Sequence, residues 1–314
     1  MSLFLGIDTS NYTTSTALYD SSTGVMLQQK KLLPVKDGQL GLRQSDAVFH
    51  HTQQLHQLFS QLVKNIDLKE LKMIGVSVKP RPVNGSYMPC FTVGENTADI
   101  LSSALKVPLA RFSHQEGHIS AALFSAKRDD MFTKDFIAFH ISGGTTEAVL
   151  VNGKDNGFDL ELVAKSLDLH AGQAVDRVGL MLGLSFPCGA ELEKLALKNT
   201  EKIKVHPTLK GVDCCLSGVE NQCKKLIDSG KSPEYVAAYC IKYIEQSLAA
   251  VTDKLLENYG NLPLLYAGGV MSNSIINKTF TQKYNAIFAA PAFSTDNAAG
   301  IAYLAYRKFI NVHT

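Results

Sequence analysis

The sequence has no apolar run long enough to cross a bilayer. Its longest hydrophobic stretches are short and interrupted, so no membrane span is expected. The opening "MSLFLGIDTS" has no charged segment ahead of its apolar residues and no cleavage motif, so a signal peptide is not expected. There is little net charge. Lys and Arg total 31 against 29 Asp and Glu, so a nucleic-acid surface would have to be a local basic patch. No two of the six cysteines form C-x-x-C, and the adjacent Cys214 and Cys215 do not suit a simple bridge. Reduced thiols and a cytoplasmic location are therefore expected. No Pro/Ser-rich linker divides the chain. The boundary between halves is placed in "SAKRDDMFTK", residues 125–134, giving lobes of about 1–130 and 131–297 with a helix over 298–312 packing back on the first.

The 314 residues, 45% hydrophobic and 19% charged, carry ample core material for two lobes. "LFLGIDTS", "TTSTALYD" and "VMLQQKKLL" predict a β-hairpin extending to a third strand. "DAVFHHTQQLHQLFSQLVKNI" has Val48, Leu55, Leu58, Leu62 and Ile66 near helical spacing, with Ser45 placed to cap it. His50 and His51 are adjacent, diverge, and are expected at the surface. "LKMIGVSVK" predicts a buried strand and "NTADILSSALKV" a helix. The second half repeats the order: "FIAFHISGGTTEAVLVNG" is two strands around a Gly-rich turn, "PEYVAAYCIKYIEQSLAAVTDKLLENYG" a long helix stopped at Gly260. Each half opens on strand, polar turn, strand, which is duplication at the level of fold. The predicted architecture is α/β: two mixed-sheet lobes with a ligand cleft between them, at the turns after the strands.

Four groups could carry chemistry. "SHQEGHIS" places His114 and His118 four apart on one helix face, able to bind one metal ion with a third ligand, or to be an ordinary solvated or core pair. Glu116 points off that face and is poorly placed as a metalloprotease base. "SGGTT" (Ser142, Gly143, Gly144, Thr145) and "AGGV" (Gly268, Gly269), followed by Asn273, free the backbone to approach a ligand; Gly-Gly pairs also mark plain turns. "GIDTS" adds Asp8 and Ser10, as ligand groups or as a polar strand end. Asp176 lies among apolar residues on a helix, where a carboxylate is costly unless it binds something or pairs with a cation; Gly189 follows in a turn. Asp296 could be a helix N-cap or the acid that the histidine pair needs. Lys194, Lys198, Lys202 and Lys204 cluster, as a tRNA surface or a solvated helix face.

"LGIDTS", "HQEGHI", "HISGGTTEAVLV", "GQAVDRVGLMLGLSFPCG", "YAGGVMSN" and "STDNAAGIA" in this order resemble the tRNA threonylcarbamoyladenosine synthase transferase subunits, formerly called O-sialoglycoprotein endopeptidases. That resemblance implies the actin-like ATPase and sugar-kinase superfold. It implies a divalent metal, iron or zinc before magnesium, on His114, His118 and Asp296. It also implies an adenylate-type donor held by Ser142, Gly143, Gly144, Asp176, Gly189, Gly268, Gly269 and Asn273. The implied reaction moves a threonylcarbamoyl group to the adenosine beside the tRNA anticodon, with accessory proteins that include a non-catalytic paralogue. The chain departs from the family pattern at Thr145, Leu169, His170, Gln173, Val175 and Cys188, and at Pro80 and Pro82. A divergent paralogue with another acceptor, or without tRNA activity, is the alternative.

Overall fold

The computed structural model describes residues 2–10, 12–34, 42–154, 157–295 and 298–313. They divide into two compact units: residues 1–134 with 152–159 and 292–314, and residues 135–151 with 160–291.

In the first unit, β1 (Leu3–Ser10), β2 (Thr13–Asp20), β3 (Val25–Leu32), β4 (Leu71–Lys79) and β5 (Leu109–Ser113) form a sheet of order β3-β2-β1-β4-β5. β1 runs antiparallel to β2 and parallel to β4. Every residue of β1 is buried, as suits a central strand covered on both faces. α1 (Gln44–Val63) and α2 (Phe91–Leu105) are joined in this unit by α3 (His114–Ser125). Leu55, Leu62, Ile74, Val76 and Ala98 share a core with β1. Two expectations for α1 fail. Ser45 does not cap it: Arg43 holds the cap position and Ser45 is an exposed first-turn residue. His51 is fully buried, not superficial, because its Nδ1 finds Thr14 Oγ1 at 2.8 Å across the core face.

The second sheet contains β6 (Asp135–Ile141), β7 (Thr146–Lys154), β8 (Gly157–Lys165), β11 (Leu264–Ala267) and β12 (Ile287–Phe288), in the order β12-β11-β6-β7-β8. Read from β8, this repeats the first order. Between β8 and β11 the chain makes α4 (Ala171–Met181), α5 (Gly189–Ala196), the ribbon β9 (Thr208–Lys210) and β10 (Asp213–Cys215), α6 (Ser217–Asp228) and α7 (Pro233–Tyr259). α7 starts where Ser232 accepts from Tyr235 N, has Pro233 in its first turn, and stops at Gly260 with φ 82°. α8 (Ser274–Tyr284) follows β11. The lysine stretch is not one helix face, since α5 ends at Ala196.

α9 (Ala299–His313) belongs to the first unit, where it packs on β1, β2, β4 and α3. The approach needs glycine. A Cβ on Gly6 would strike the α9 backbone at Ala302, and one on Gly300 would strike the Gly117 carbonyl of α3.

Candidate functional site

The histidine pair sits in the first unit. Ser113 caps α3 with a complete capping box: its hydroxyl accepts from Glu116 N, and Glu116 Oε2 takes Ser113 N at 2.7 Å. This box makes His114 the first helical residue and puts His118 one turn on, with ring centroids 4.3 Å apart. It also occupies Glu116 in closing the helix start. Asp8, at the end of β1 and fully buried, accepts at Oδ2 from His114 Nδ1 over 2.6 Å. Its Oδ1 is buried with no hydrogen-bond partner.

The other "GIDTS" side chains divide. Thr9 Oγ1 donates to Cys90 O at 3.0 Å and accepts from Gly94 N at 3.1 Å, joining β1 to the start of α2. Ser10 is 3% exposed and its hydroxyl is unpartnered. Beside them, burial and then the Asp8 carboxylate push the Cys90 thiol up, so it stays protonated at neutral pH.

A carboxylate that orients one imidazole, with a second imidazole against it, is the arrangement that fixes the tautomer of a metal-ligating histidine. His114 and His118 have the chemistry of two ligands for the divalent metal that the family resemblance implies. Among the described residues no three His, Cys, Asp or Glu side chains converge as a metal-binding group. Asp296, the expected third ligand, lies outside the described residues.

The second unit holds a separate pocket of about 420 Å³. The predicted Gly143, Asp176, Gly189, Gly269 and Asn273 all line it. Ser142 builds its first edge: Ser142 Oγ accepts from Gly144 N and Thr145 N at 3.3 and 3.1 Å, closing the turn. Ser142 O accepts from Gly172 N at 3.1 Å, tying the turn to the start of α4. A Cβ on Gly172 would meet Gly143 N at 2.6 Å, so only glycine allows this approach. Gly143 and Gly144 have open space around them, which leaves their backbone accessible to a ligand. Gly268, with φ 100°, lies against Ile141 O and turns the chain out of β11.

Two side chains expected to meet the ligand have protein partners as well. Asp176 Oδ1 accepts from Cys188 N at 2.9 Å, fixing the turn that leads to Gly189. This is the partner that a carboxylate among apolar residues needs, and it is a backbone amide rather than a salt bridge. Asn273 Oδ1 caps α8, accepting from Ile275 N and Ile276 N at 3.1 and 3.2 Å. Sequence reasoning missed Glu193. It lines the same pocket, and its Oε1 accepts from Ser274 N at 2.9 Å and from the Ser274 hydroxyl. The two residues are 81 positions apart, so no local pattern announced the pair. Ile241, Ile244, Ile276 and Val175 supply an apolar wall, and among the described residues no Lys, Arg or His lines the pocket. Such a site suits a flat apolar group with hydroxyls or amines turned to Asp176 and Glu193, and an anion on glycine amides.

Two duplicated α/β sheets with this Gly-edged pocket define the actin-like ATPase and sugar-kinase class. Solved structures of that shape cover nearly the whole chain. HypF from T. kodakarensis matches with a TM-score of 0.63 at 12% identity, over 99% of this chain and 48% of its own. A ROK family glucokinase from Streptomyces griseus matches with a TM-score of 0.52 at 12% identity, over 97% and 98%. The family model described as TsaD, tRNA N6-adenosine threonylcarbamoyltransferase, matches residues 34–303, and the chain belongs to that family. Its relatives include proteins of that name from Nanoarchaeum equitans, 28% identical over 96% of this chain and 92% of theirs, and from Mycoplasma capricolum, 30% identical over 78% of each. No described helix is long and apolar enough to cross a membrane.

Proposed function

We propose that this chain transfers a threonylcarbamoyl group from threonylcarbamoyl-adenylate to the N6 amine of the adenosine beside the anticodon, acting in the cytoplasm with accessory proteins that include a non-catalytic paralogue. The observation that carries the reading is the family match over residues 34–303. The pocket of the second unit supports it, being apolar along α7 and lined with glycine and acid elsewhere.

The adenylate's base rests on the Ile241, Ile244 and Ile276 wall. Its ribose hydroxyls turn to Asp176 and Glu193, and its phosphate to the Gly143 and Gly269 amides. In the transfer, N6 forms a bond to the carbamoyl carbon. The bond from that carbon to the phosphate oxygen breaks, AMP leaves with the electron pair, and N6 gives up one proton to solvent. No protein nucleophile takes part; positioning and fixed dipoles carry the rate. His114 and His118, with Asp296, would hold a divalent cation, iron or zinc by the softness of two imidazoles. When bound, such a cation would supply Lewis-acid charge to an oxygen held at the histidine pair. Asp8 fixes the His114 ring by the 2.6 Å bond.

The test is mass spectrometry of tRNA nucleosides from a strain lacking this gene, and from the purified chain reconstituted with donor, tRNA and accessory proteins. Loss of threonylcarbamoyladenosine in the first and its formation in the second are expected. Unchanged modification in the strain and none in the reconstitution would leave the divergent-paralogue reading. The departures at Thr145 and Cys188, on the Gly143 and Gly189 turns, favour that second reading.

A further inference from the structure

The pocket makes no use of one stretch of the second unit, residues 201–210, which runs from the end of α5 into β9. From residue 202 onward its exposure alternates strictly. Lys202, Lys204, His206, Thr208 and Lys210 are exposed, while Ile203, Val205, Pro207 and Leu209 are half-buried. Val205 and Leu209 pack against the core of this unit. Alternation of period two gives the stretch one wet face, and it ends in the strand Thr208–Lys210.

The stretch is held at both ends. Glu201 Oε2 accepts from Lys231 Nζ at 2.8 Å, and Asn199 Nδ2 donates to Glu201 O at 2.8 Å. Beyond the other end, Lys254 Nζ donates to Gly211 O at 2.6 Å. β10 places Asp213 opposite Lys210, but Asp213 Oδ1 accepts from Lys165 N at 2.8 Å. Lys202, Lys204, His206 and Lys210 make no ion pair among the described residues. The exposed Lys198, Lys224 and Lys225 of the flanking segments likewise make none.

We propose that the outward face of residues 202–210 is the surface with which this chain grips the phosphate backbone of its tRNA. The proposal rests on the tRNA-modifying reading above and places that substrate on particular side chains. The ammonium groups of Lys202, Lys204 and Lys210, all on the wet face of a stretch pinned at both ends, present positive charge to a run of phosphates. No Phe, Tyr or Trp lies on this face, and ammonium groups set on phosphates position the nucleic acid without reading its sequence. It also lacks the exposed apolar residues with which a membrane-binding surface inserts.

The experiment titrates the full-length chain with purified tRNA over a series of KCl concentrations. The variant is Lys202→Ser with Lys204→Ser and Lys210→Ser. Its salt slope, log affinity against log salt, should fall by about 2 to 3 in magnitude, because three ammonium groups no longer neutralise phosphates. Affinity should fall equally for tRNAs with and without the target adenosine. The triple Lys→Arg variant should keep both slope and affinity. A Ser variant with wild-type slope, affinity and melting temperature overturns the proposal. So does a wild-type chain that fails to bind tRNA at low salt, or a Ser variant that loses anionic-vesicle binding but keeps tRNA. Failure of the underlying reading is a different result: no modified nucleoside from the reconstituted wild-type chain.

Discussion

Asp8 and His114 lie 106 positions apart in the chain and meet at 2.6 Å, carboxylate oxygen to ring nitrogen. The contact gives the buried carboxylate a partner and settles which imidazole nitrogen faces away from it. Asp8→Asn keeps the shape of this contact and removes its charge. Metal affinity, measured by chelator competition, should fall about 10- to 100-fold with the circular dichroism spectrum unchanged. Wild-type affinity in the variant would strip Asp8 of that role.

Glu116 lies between the two histidines and is spent on the start of α3. Glu116→Ala should lower unfolding free energy by about 1 kcal/mol, the usual worth of a helix cap, and leave transferase turnover within a few-fold of wild type. A folded variant without activity would return Glu116 to the chemistry.

Burial holds His51 neutral and pushes its pKa down to about 4, while the unfolded chain keeps the ordinary value near 6.5. Between those values the unfolded state binds the extra proton. Stability is therefore full above pH 6.5 and falls as pH drops towards 4, by about 3 kcal/mol at most. His51→Gln has no such proton to take up. Urea unfolding from pH 7 to 4.5 should show a shallower decline in the variant, and parallel curves would refute the assignment.

Gly268 combines φ 100° with a carbonyl where a Cβ would stand. Gly268→Ala should cost about 2 kcal/mol or more and weaken binding of an adenylate analogue to the second unit. The matching change at Gly269, which has open space, should cost little in folding. Thermal melts and titration calorimetry of the two variants make the comparison; equal losses would contradict it.

The motifs were legible because each is local: the i, i+4 histidines, the Gly-Gly turns and the strand-turn-strand openings announce themselves within a dozen residues. What escaped depends on distant partners. His51 reads as a surface histidine until Thr14 is brought beside it, and Glu193 as one more helix acid until Ser274 arrives. Asp176 shows its cost in the sequence, but not the Cys188 amide that meets it. The lysines of 202–210 look like part of a helix because α5 precedes them; their alternation with Ile203, Val205 and Leu209 is the period of an extended chain instead.

The seat of the histidine helix is shared between opposite ends of the polypeptide. α3 and β1 are made early, yet the backbone that closes over Gly6 and Gly117 comes from α9. In synthesis β1, α3 and the whole second unit are therefore made before the helix that covers this side of the first sheet. Completion of the first unit is thus a late, long-range event, and a chain stalled before residue 299 would carry the histidine motif without the helix it packs against.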